Sequence, residues 1–253
     1  MIIEIYLKKG LNSLEAILNF DLSVFKFIED HLWMEWFDKI VPIVTWLGDG
    51  AFWIIVGVLF CIPKKTRKIG FVMLAAQLIM LIANNVILKS IFSRTRPFAL
   101  FNPAVASKCV NGYSLNGKQI DGWMPEGYLT QVADEMKTYS AEFINKWLAT
   151  FHYPDHIGYP YAHGYSFPSG HTSSSFAAAC GLFAAATKKQ KIIGAAAILL
   201  AAIIGYTRMY LHVHYCTDVL VGAVVGILCA VGGYFAIKAI LKLVEKKTGK
   251  TIA

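Results

Sequence analysis

Three stretches of this chain are too long and too apolar for the interior of a soluble domain. Residues 69–88 are interrupted only by Gln77, Asn84 and Asn85, residues 192–211 stay apolar until near their end, and residues 218–240 follow the same pattern. About 20 such residues in a helix cross the hydrocarbon core of a bilayer. The whole composition agrees: 56% hydrophobic and 16% charged residues, with a mean hydropathy of +0.51, read as an integral membrane protein. We therefore expect an all-α, polytopic membrane helical bundle of about six helices, five of them clear spans, forming one membrane domain over residues 1–253.

The net charge of +8 is explained by its placement. Lys64, Lys65, Arg67 and Lys68 fill one connection, Lys188, Lys189 and Lys191 another, and Lys242, Lys246, Lys247 and Lys250 end the chain. These clusters fall on one side if each intervening apolar hairpin is a pair of spans, and the positive-inside rule makes that side cytoplasmic. No basic stripe with interleaved aromatics remains outside the span ends, so no nucleic-acid partner is expected. Cys61, Cys109, Cys180, Cys216 and Cys229 lack metal-ligand spacing. No metal and no cofactor are expected. Cys109 and Cys216 would share the extracytoplasmic side, where a disulfide is chemically allowed. The N-terminal residues lack a small-residue cleavage site, so no removable signal peptide is expected.

Along the chain, residues 11–32 space Leu14, Ile17, Leu18, Leu22, Phe25 and Ile28 on one helical stripe, with Asp21, Lys26 and Glu29 among the intervening charges. An amphipathic helix is expected, on the membrane or against the bundle. Residues 33–48 lead to a turn at Gly48, Asp49 and Gly50, and residues 51–62 are expected to return as a short span. The run 69–88 delivers Lys89 to the outer surface, with Arg94, Arg96 and Pro97 following. On one helix, Lys89 and Arg96 would share a face, and Pro97 would end it. Residues 98–165 are polar and slightly acidic, an extracytoplasmic insertion in which residues 126–151 have room for one or two helices. Residues 173–187 are rich in Ala, Ser and Gly, and Gly222 and Gly226 form a small-xxx-small pair in the last span; both patterns suit close helix packing.

Counting spans brings Lys89, Arg96, His171, Arg208, His214 and Asp218 to one membrane surface. Three permanent cations and two histidines together would repel, and an anion relieves that repulsion; phosphate suits guanidinium forks and helix-start amides. His171 follows Pro168, Ser169 and Gly170, a turn that opens a helix. His214 and Asp218 are four apart, so they share a face if the last helix begins near His214, and the carboxylate would then fix the imidazole tautomer. Arg208 and His214 can converge only if the preceding helix ends between them.

These residues carry a resemblance. Lys89 with Arg96 and Pro97, then Pro168, Ser169, Gly170 and His171, then Arg208, His214 and Asp218 resemble the three-part signature of the type 2 phosphatidic acid phosphatase family, which includes lipid phosphate phosphatases and is related to vanadium haloperoxidases. The likeness runs from about residue 48 to 240. Thr207 stands where the family usually has Ser.

The resemblance implies metal-independent hydrolysis of a phosphate or diphosphate through a phosphohistidine. It casts His214 as nucleophile, Asp218 as its orienting carboxylate and His171 as the acid and later the base. Lys89, Arg96, Ser169, Gly170 and Arg208 would bind the phosphate. The expected partner is a lipid phosphate in the bilayer: undecaprenyl diphosphate, phosphatidylglycerol phosphate or phosphatidic acid. The expected location is the plasma membrane, with the site facing outward. The insertion has no N-glycosylation sequon, compatible with a bacterial source. An anion or lipid transporter using the same cations is the main alternative, although transporter charges tend to lie at the bilayer midplane. A haloperoxidase-like vanadate binder belongs to a soluble setting that the hydropathy opposes.

Overall fold

The apolar stripe of the N-terminal region forms a helix, α1 (Ile2–Phe27), which continues through one π-helical turn (Ile28–Leu32). This description rests on a computed structural model of the chain that describes residues 2–101, 113–115, 118–120, 128–137, 139, 142–143, 162 and 164–249. Leu18, Leu22, Phe25 and Ile28 of the stripe are buried, with Asp21 among them, while Leu14 and Ile17 of the same stripe stay exposed.

Next come α2 (Glu35–Trp46) and α3 (Gly50–Cys61), the latter capped by Asp49, whose Oδ1 accepts from the Ala51 N–H at 2.7 Å. Their directions differ by 56°, which is short of a hairpin reversal. The short return span expected over 51–62 is α3, and its bend against α2 is that of a broken span or a re-entrant pair. At 12 residues each, neither helix reaches across a bilayer core, and the pair has the length of one broken span.

The next run forms α4 (Arg67–Met80), a π-helical stretch (Leu81–Leu88) and α5 (Lys89–Phe92). Ser93 then takes φ +43°, and Pro97 opens the short α6 (Pro97–Phe101). This corrects two expectations. Lys89 and Arg96 do not lie on one helical face, because the helix breaks at Ser93, and Pro97 starts a helix at the first position, where its missing N–H costs nothing. The insertion contributes a small antiparallel pair, β1 (Tyr113–Leu115) with β2 (Lys118–Ile120), Ser114 opposite Gln119, and the helix α7 (Tyr128–Met136). Cys109 and all of residues 144–161 lie outside the described residues.

Three long helices complete the chain: α8 (Gly170–Ala185), α9 (Lys191–Tyr210) and α10 (Cys216–Thr248). The fold class is the expected helical membrane bundle. Among the described residues three helical segments are long and apolar enough to cross a membrane, or four if the bent α2–α3 pair counts as one, against the five expected. On these segments Ile55, Leu78, Ile192, Leu199 and Leu228 leave more than half of their surface uncovered, as side chains facing lipid tails would.

The chain sorts into two compact units, one of Met1–Asp38, Ser93–Ser166 and Met209–Thr217, the other of Lys39–Phe92, Phe167–Arg208 and Asp218–Ala253. The first has a core of Leu18, Leu22, Phe25, Leu100, Phe143 and Tyr215. In the second, Trp53, Ile69, Met73, Ala178, Leu182 and Ile204 form the main cluster. Gln77 of α4 and Asn84 of the following π-helical stretch find partners on α8, as expected for such depth, while Asn85 Oδ1 accepts from Asn84 Nδ2 within the stretch at 3.0 Å. Gln77 Nε2 donates to the Ser174 carbonyl at 2.7 Å, the Ser174 hydroxyl returns a bond to Gln77 Oε1 at 2.9 Å, and Ser173 Oγ donates to Asn84 Oδ1 at 2.9 Å. Small residues let α10 approach α8: a Cβ added at Gly222 would lie 2.9 Å from the Ser169 carbonyl oxygen, and one at Gly226 only 2.5 Å from that of Ser173.

Candidate active site

In the first unit, Arg96 sits in the break between α5 and α6, almost fully buried, and its guanidinium is spent on protein acceptors. Nε donates to the Gly164 carbonyl at 2.8 Å, Nη1 to the Val213 carbonyl at 2.8 Å and Nη2 to the Tyr165 carbonyl at 3.2 Å. Nη1 also meets His214 Nε2 at 3.2 Å. An arginine can only donate, so Nε2 carries the lone pair and the ring hydrogen resides on Nδ1 of the neutral imidazole. Nδ1 in turn lies 3.4 Å from Ser166 Oγ. The arrangement fixes the tautomer that leaves a lone pair on Nε2. The sequence points to Asp218 for that task and does not single out Ser166.

His214 does not lie on the last helix, because α10 begins at Cys216; the shared-face argument for His214 and Asp218 therefore does not apply. The helix before it ends at Tyr210, so the condition set for Arg208 and His214, an interruption between them, is met. The segment between the helices is held by its neighbours. His212, at φ +50°, accepts from the Phe98 N–H at 3.3 Å through its carbonyl, its ring packs edge-on to Phe25 at 4.7 Å, and its Nε2 lies 3.3 Å from Glu29 Oε1. Burial pushes the Glu29 carboxyl up to about 7, with Asp30 adding to the shift and Lys26 opposing it.

The backbone around Arg96 is clamped from both sides. The Thr95 N–H donates to Glu135 Oε2 at 3.1 Å, and Gln131 Nε2 donates to the Ser93 carbonyl, so α7 of the insertion closes one side. On the other side, Asp21 of α1 accepts from Arg94 and Thr217. Neither α1 nor the insertion carries signature residues, and no local pattern announces these contacts.

In the second unit, Ser169 precedes the first residue of α8, and its N–H donates to the Asp218 carbonyl at 3.0 Å while its Oγ accepts from Thr172 Oγ1 at 2.9 Å. Gly170, His171 and Thr172 open the helix, so their N–H groups have no acceptor inside it. Lys89 is beside them: a Cβ added at Gly170 would lie 3.9 Å from Lys89 Nζ. A buried Arg208 donates from Nη1 to Thr45 Oγ1 at 2.6 Å. Thr207, where the family usually has Ser, gives its hydroxyl hydrogen to the Ile204 carbonyl one turn back at 2.7 Å. The His171 ring lies against Gly48, where an added Cβ would stand 3.1 Å from His171 Cβ and Cδ2. Thus Lys89, Ser169, Gly170, His171, Arg208 and Asp218 belong to the second unit, and Arg96 and His214 to the first.

A helical membrane protein with a buried, tautomer-fixed histidine held by an arginine, and a cationic helix start, has the makings of a phosphotransfer hydrolase. The sequence model of the PAP2 superfamily matches residues 65–242, and the chain belongs to that family of membrane lipid phosphatases. Over 226 residues it is 25% identical to the undecaprenyl-diphosphatase of Sulfolobus acidocaldarius, covering 89% of this chain and 82% of that one. Among solved structures it resembles a PAP2-type phosphatidylglycerolphosphate phosphatase from Bacillus subtilis, with 20% identity, a TM-score of 0.52 and coverage of 95% and 96% of the two chains. LpxE of Aquifex aeolicus is similar at 22% identity and a TM-score of 0.48, with 84% and 93% covered.

Proposed function

We propose that this phosphatase hydrolyses a lipid phosphate or diphosphate at the extracytoplasmic face through a phosphohistidine on His214. The observation that carries the reading is the Arg96 contact to His214 Nε2, which leaves the lone pair on that nitrogen. For attack, the Arg96 N–H must exchange His214 Nε2 for a phosphate oxygen, which is its stronger acceptor. Nε2 then forms the N–P bond with the terminal phosphorus as that phosphorus parts in line from its leaving oxygen, the lipid oxygen of a monophosphate or the bridging oxygen of a diphosphate, and His171 gives that oxygen its proton. Asp218 stabilises the positive charge that the His214 ring gains. In the second step His171 takes a proton from water, water oxygen attacks phosphorus, the N–P bond breaks and phosphate leaves. Lys89, Arg208, Ser169 and Gly170 supply positive charge and hydrogen bonds to the non-bridging oxygens, where phosphoryl transfer concentrates charge.

A chain with such apolar spans suits a substrate whose tail stays in lipid while its phosphate meets water. A polyprenyl diphosphate is the first candidate, because the archaeal relative named for that activity aligns with most of this chain. The test is phosphate release by the detergent-purified protein from undecaprenyl diphosphate, phosphatidylglycerol phosphate and phosphatidic acid, with EDTA present. His214→Ala and His171→Ala are measured beside the wild type. The reading expects activity in EDTA that both substitutions abolish. Loss of activity on chelation, or full activity in His214→Ala, would overturn it.

A further inference from the structure

The stretch matched by the family begins at residue 65, yet one buried acid well before it reaches into the motif segments of the first unit. Asp21 lies on the apolar stripe of α1 with no exposed surface, as do its helix neighbours Leu22 and Phe25, and Leu18 is buried as well. Its Oδ2 accepts from Arg94 Nη2 at 2.8 Å and from Thr217 Oγ1 at 2.8 Å, and its Oδ1 accepts from the Thr217 N–H at 2.8 Å. Arg94 Nη1 closes the ring by donating to Thr217 Oγ1 at 2.7 Å, and its guanidinium carbon sits 3.7 Å from the centre of the buried Tyr215 ring. Burial pushes the Asp21 carboxyl above its ordinary range, while Arg94 and Thr217 pull it down.

We infer that Asp21 is a positioning residue for the reaction, setting through Arg94 and Thr217 the two chain segments that carry Arg96 and His214. The connections are short. Arg94 stands two residues before Arg96, and its carbonyl accepts from the Ser166 N–H at 2.8 Å; the Ser166 hydroxyl is in turn the Nδ1 partner of His214. Thr217 stands three residues after His214 and one before Asp218. One carboxylate thereby fixes the chain before Arg96 and the chain after His214 with charge-assisted bonds, which hold geometry more firmly than neutral ones. Packing alone does not ask for this. A leucine would complete the stripe of α1, and replacing a buried ion pair by well-packed apolar residues is often neutral or stabilising. An ion pair kept in such a place trades that stability for a defined register.

The inference rests on the reading of His214 as nucleophile, and the test separates the two. Phosphate release is measured for full-length wild type, Asp21→Asn, the double variant Asp21→Leu with Arg94→Met, and His214→Ala. The substrate is whichever of undecaprenyl diphosphate, phosphatidylglycerol phosphate and phosphatidic acid the wild type hydrolyses fastest, and melting is followed in the same detergent. Asp21→Asn leaves Arg94 without its counter-charge, so both melting temperature and rate should fall. The double variant should melt within a few degrees of wild type while kcat stays down by about tenfold or more, because mispositioned reacting groups cost up to about a hundredfold, with KM changed less than kcat. Recovery of kcat together with melting temperature in the double variant, or wild-type kcat in Asp21→Asn, would show a purely structural role and overturn the inference. A double variant that fails to recover its melting temperature, with kcat and KM following the folded fraction, would overturn it as well. Full activity in His214→Ala would instead overturn the underlying reading.

Discussion

Replacing Arg96 by lysine keeps the charge and removes the fork. In the native arrangement three nitrogens of one rigid plane serve the carbonyls of Gly164, Tyr165 and Val213 and the ring of His214. A single ammonium cannot reach acceptors spread around a guanidinium, so at least one or two of these carbonyls lose their donor. Each orphaned buried acceptor costs about 1–3 kcal/mol, which makes a loss of about 2–4 kcal/mol reasonable for the variant. At about 2–4 °C per kcal/mol for a chain of this size, melting should fall by about 5–15 °C. His214 Nε2 loses the guanidinium that meets it, so kcat should drop by about a hundredfold even in the protein that remains folded. Melting is read by intrinsic fluorescence in detergent, and kcat by phosphate release, both below the variant's transition. Arg96→Lys with wild-type kcat and melting would refute the idea that the fork holds the nucleophile.

Substitutions at Gly48, Gly50 and Glu29 probe other parts of the molecule. At Gly48, an alanine Cβ would stand 2.5 Å from Ile204 Cγ2 and 3.1 Å from the His171 side chain, so Gly48→Ala should cost about 1–3 kcal/mol and lower kcat by displacing His171. Gly50→Ala is its control, since the added Cβ meets only Ser174 Oγ at 3.7 Å, and activity there should be kept. Glu29 is held near 7 against an ordinary 4.5, so the native state binds its proton more tightly than the unfolded chain does. Its contribution is therefore present below about 4.5 and lost as pH rises through about 7. Glu29→Gln should flatten that fall and gain about 1–2 kcal/mol relative to wild type at pH 8 compared with pH 5, a figure reduced for the partial exposure of the group. Thermal melting across that pH range checks it, and an unchanged wild-type-like slope in the variant would contradict it.

The parts of this molecule legible in its sequence are those with a local or periodic signal. A run of apolar residues marks α4, α9 and α10, and a polar residue in such a run, Gln77 or Asn84, announces a partner on another helix. Gly222 and Gly226 announce a close approach in the same way. Motif spacing marks His171 at a helix start and the interruption between Arg208 and His214. Three features were not legible. The break at Ser93 depends on contacts from Gln131 and Glu135, some 40 residues on, which override the helical spacing of Lys89 and Arg96. The bend between α2 and α3 turns on the Gly48–Asp49–Gly50 segment, whose composition fits a hairpin as well as a 56° change of direction. Asp21 looked like one more charge interrupting an amphipathic stripe; its partners lie 73 and 196 residues away, beyond any pattern in the chain around it.

The central claim is a covalent bond between His214 and phosphorus, and the direct measurement is to trap it. Wild-type protein is mixed with a polyprenyl diphosphate carrying labelled terminal phosphate, quenched in alkali within milliseconds, digested and sequenced by mass spectrometry. An acid-labile, alkali-stable phosphate is expected on the peptide containing His214 and is expected to be absent from His214→Ala. Turnover without any such adduct, or label on a different residue, would contradict it.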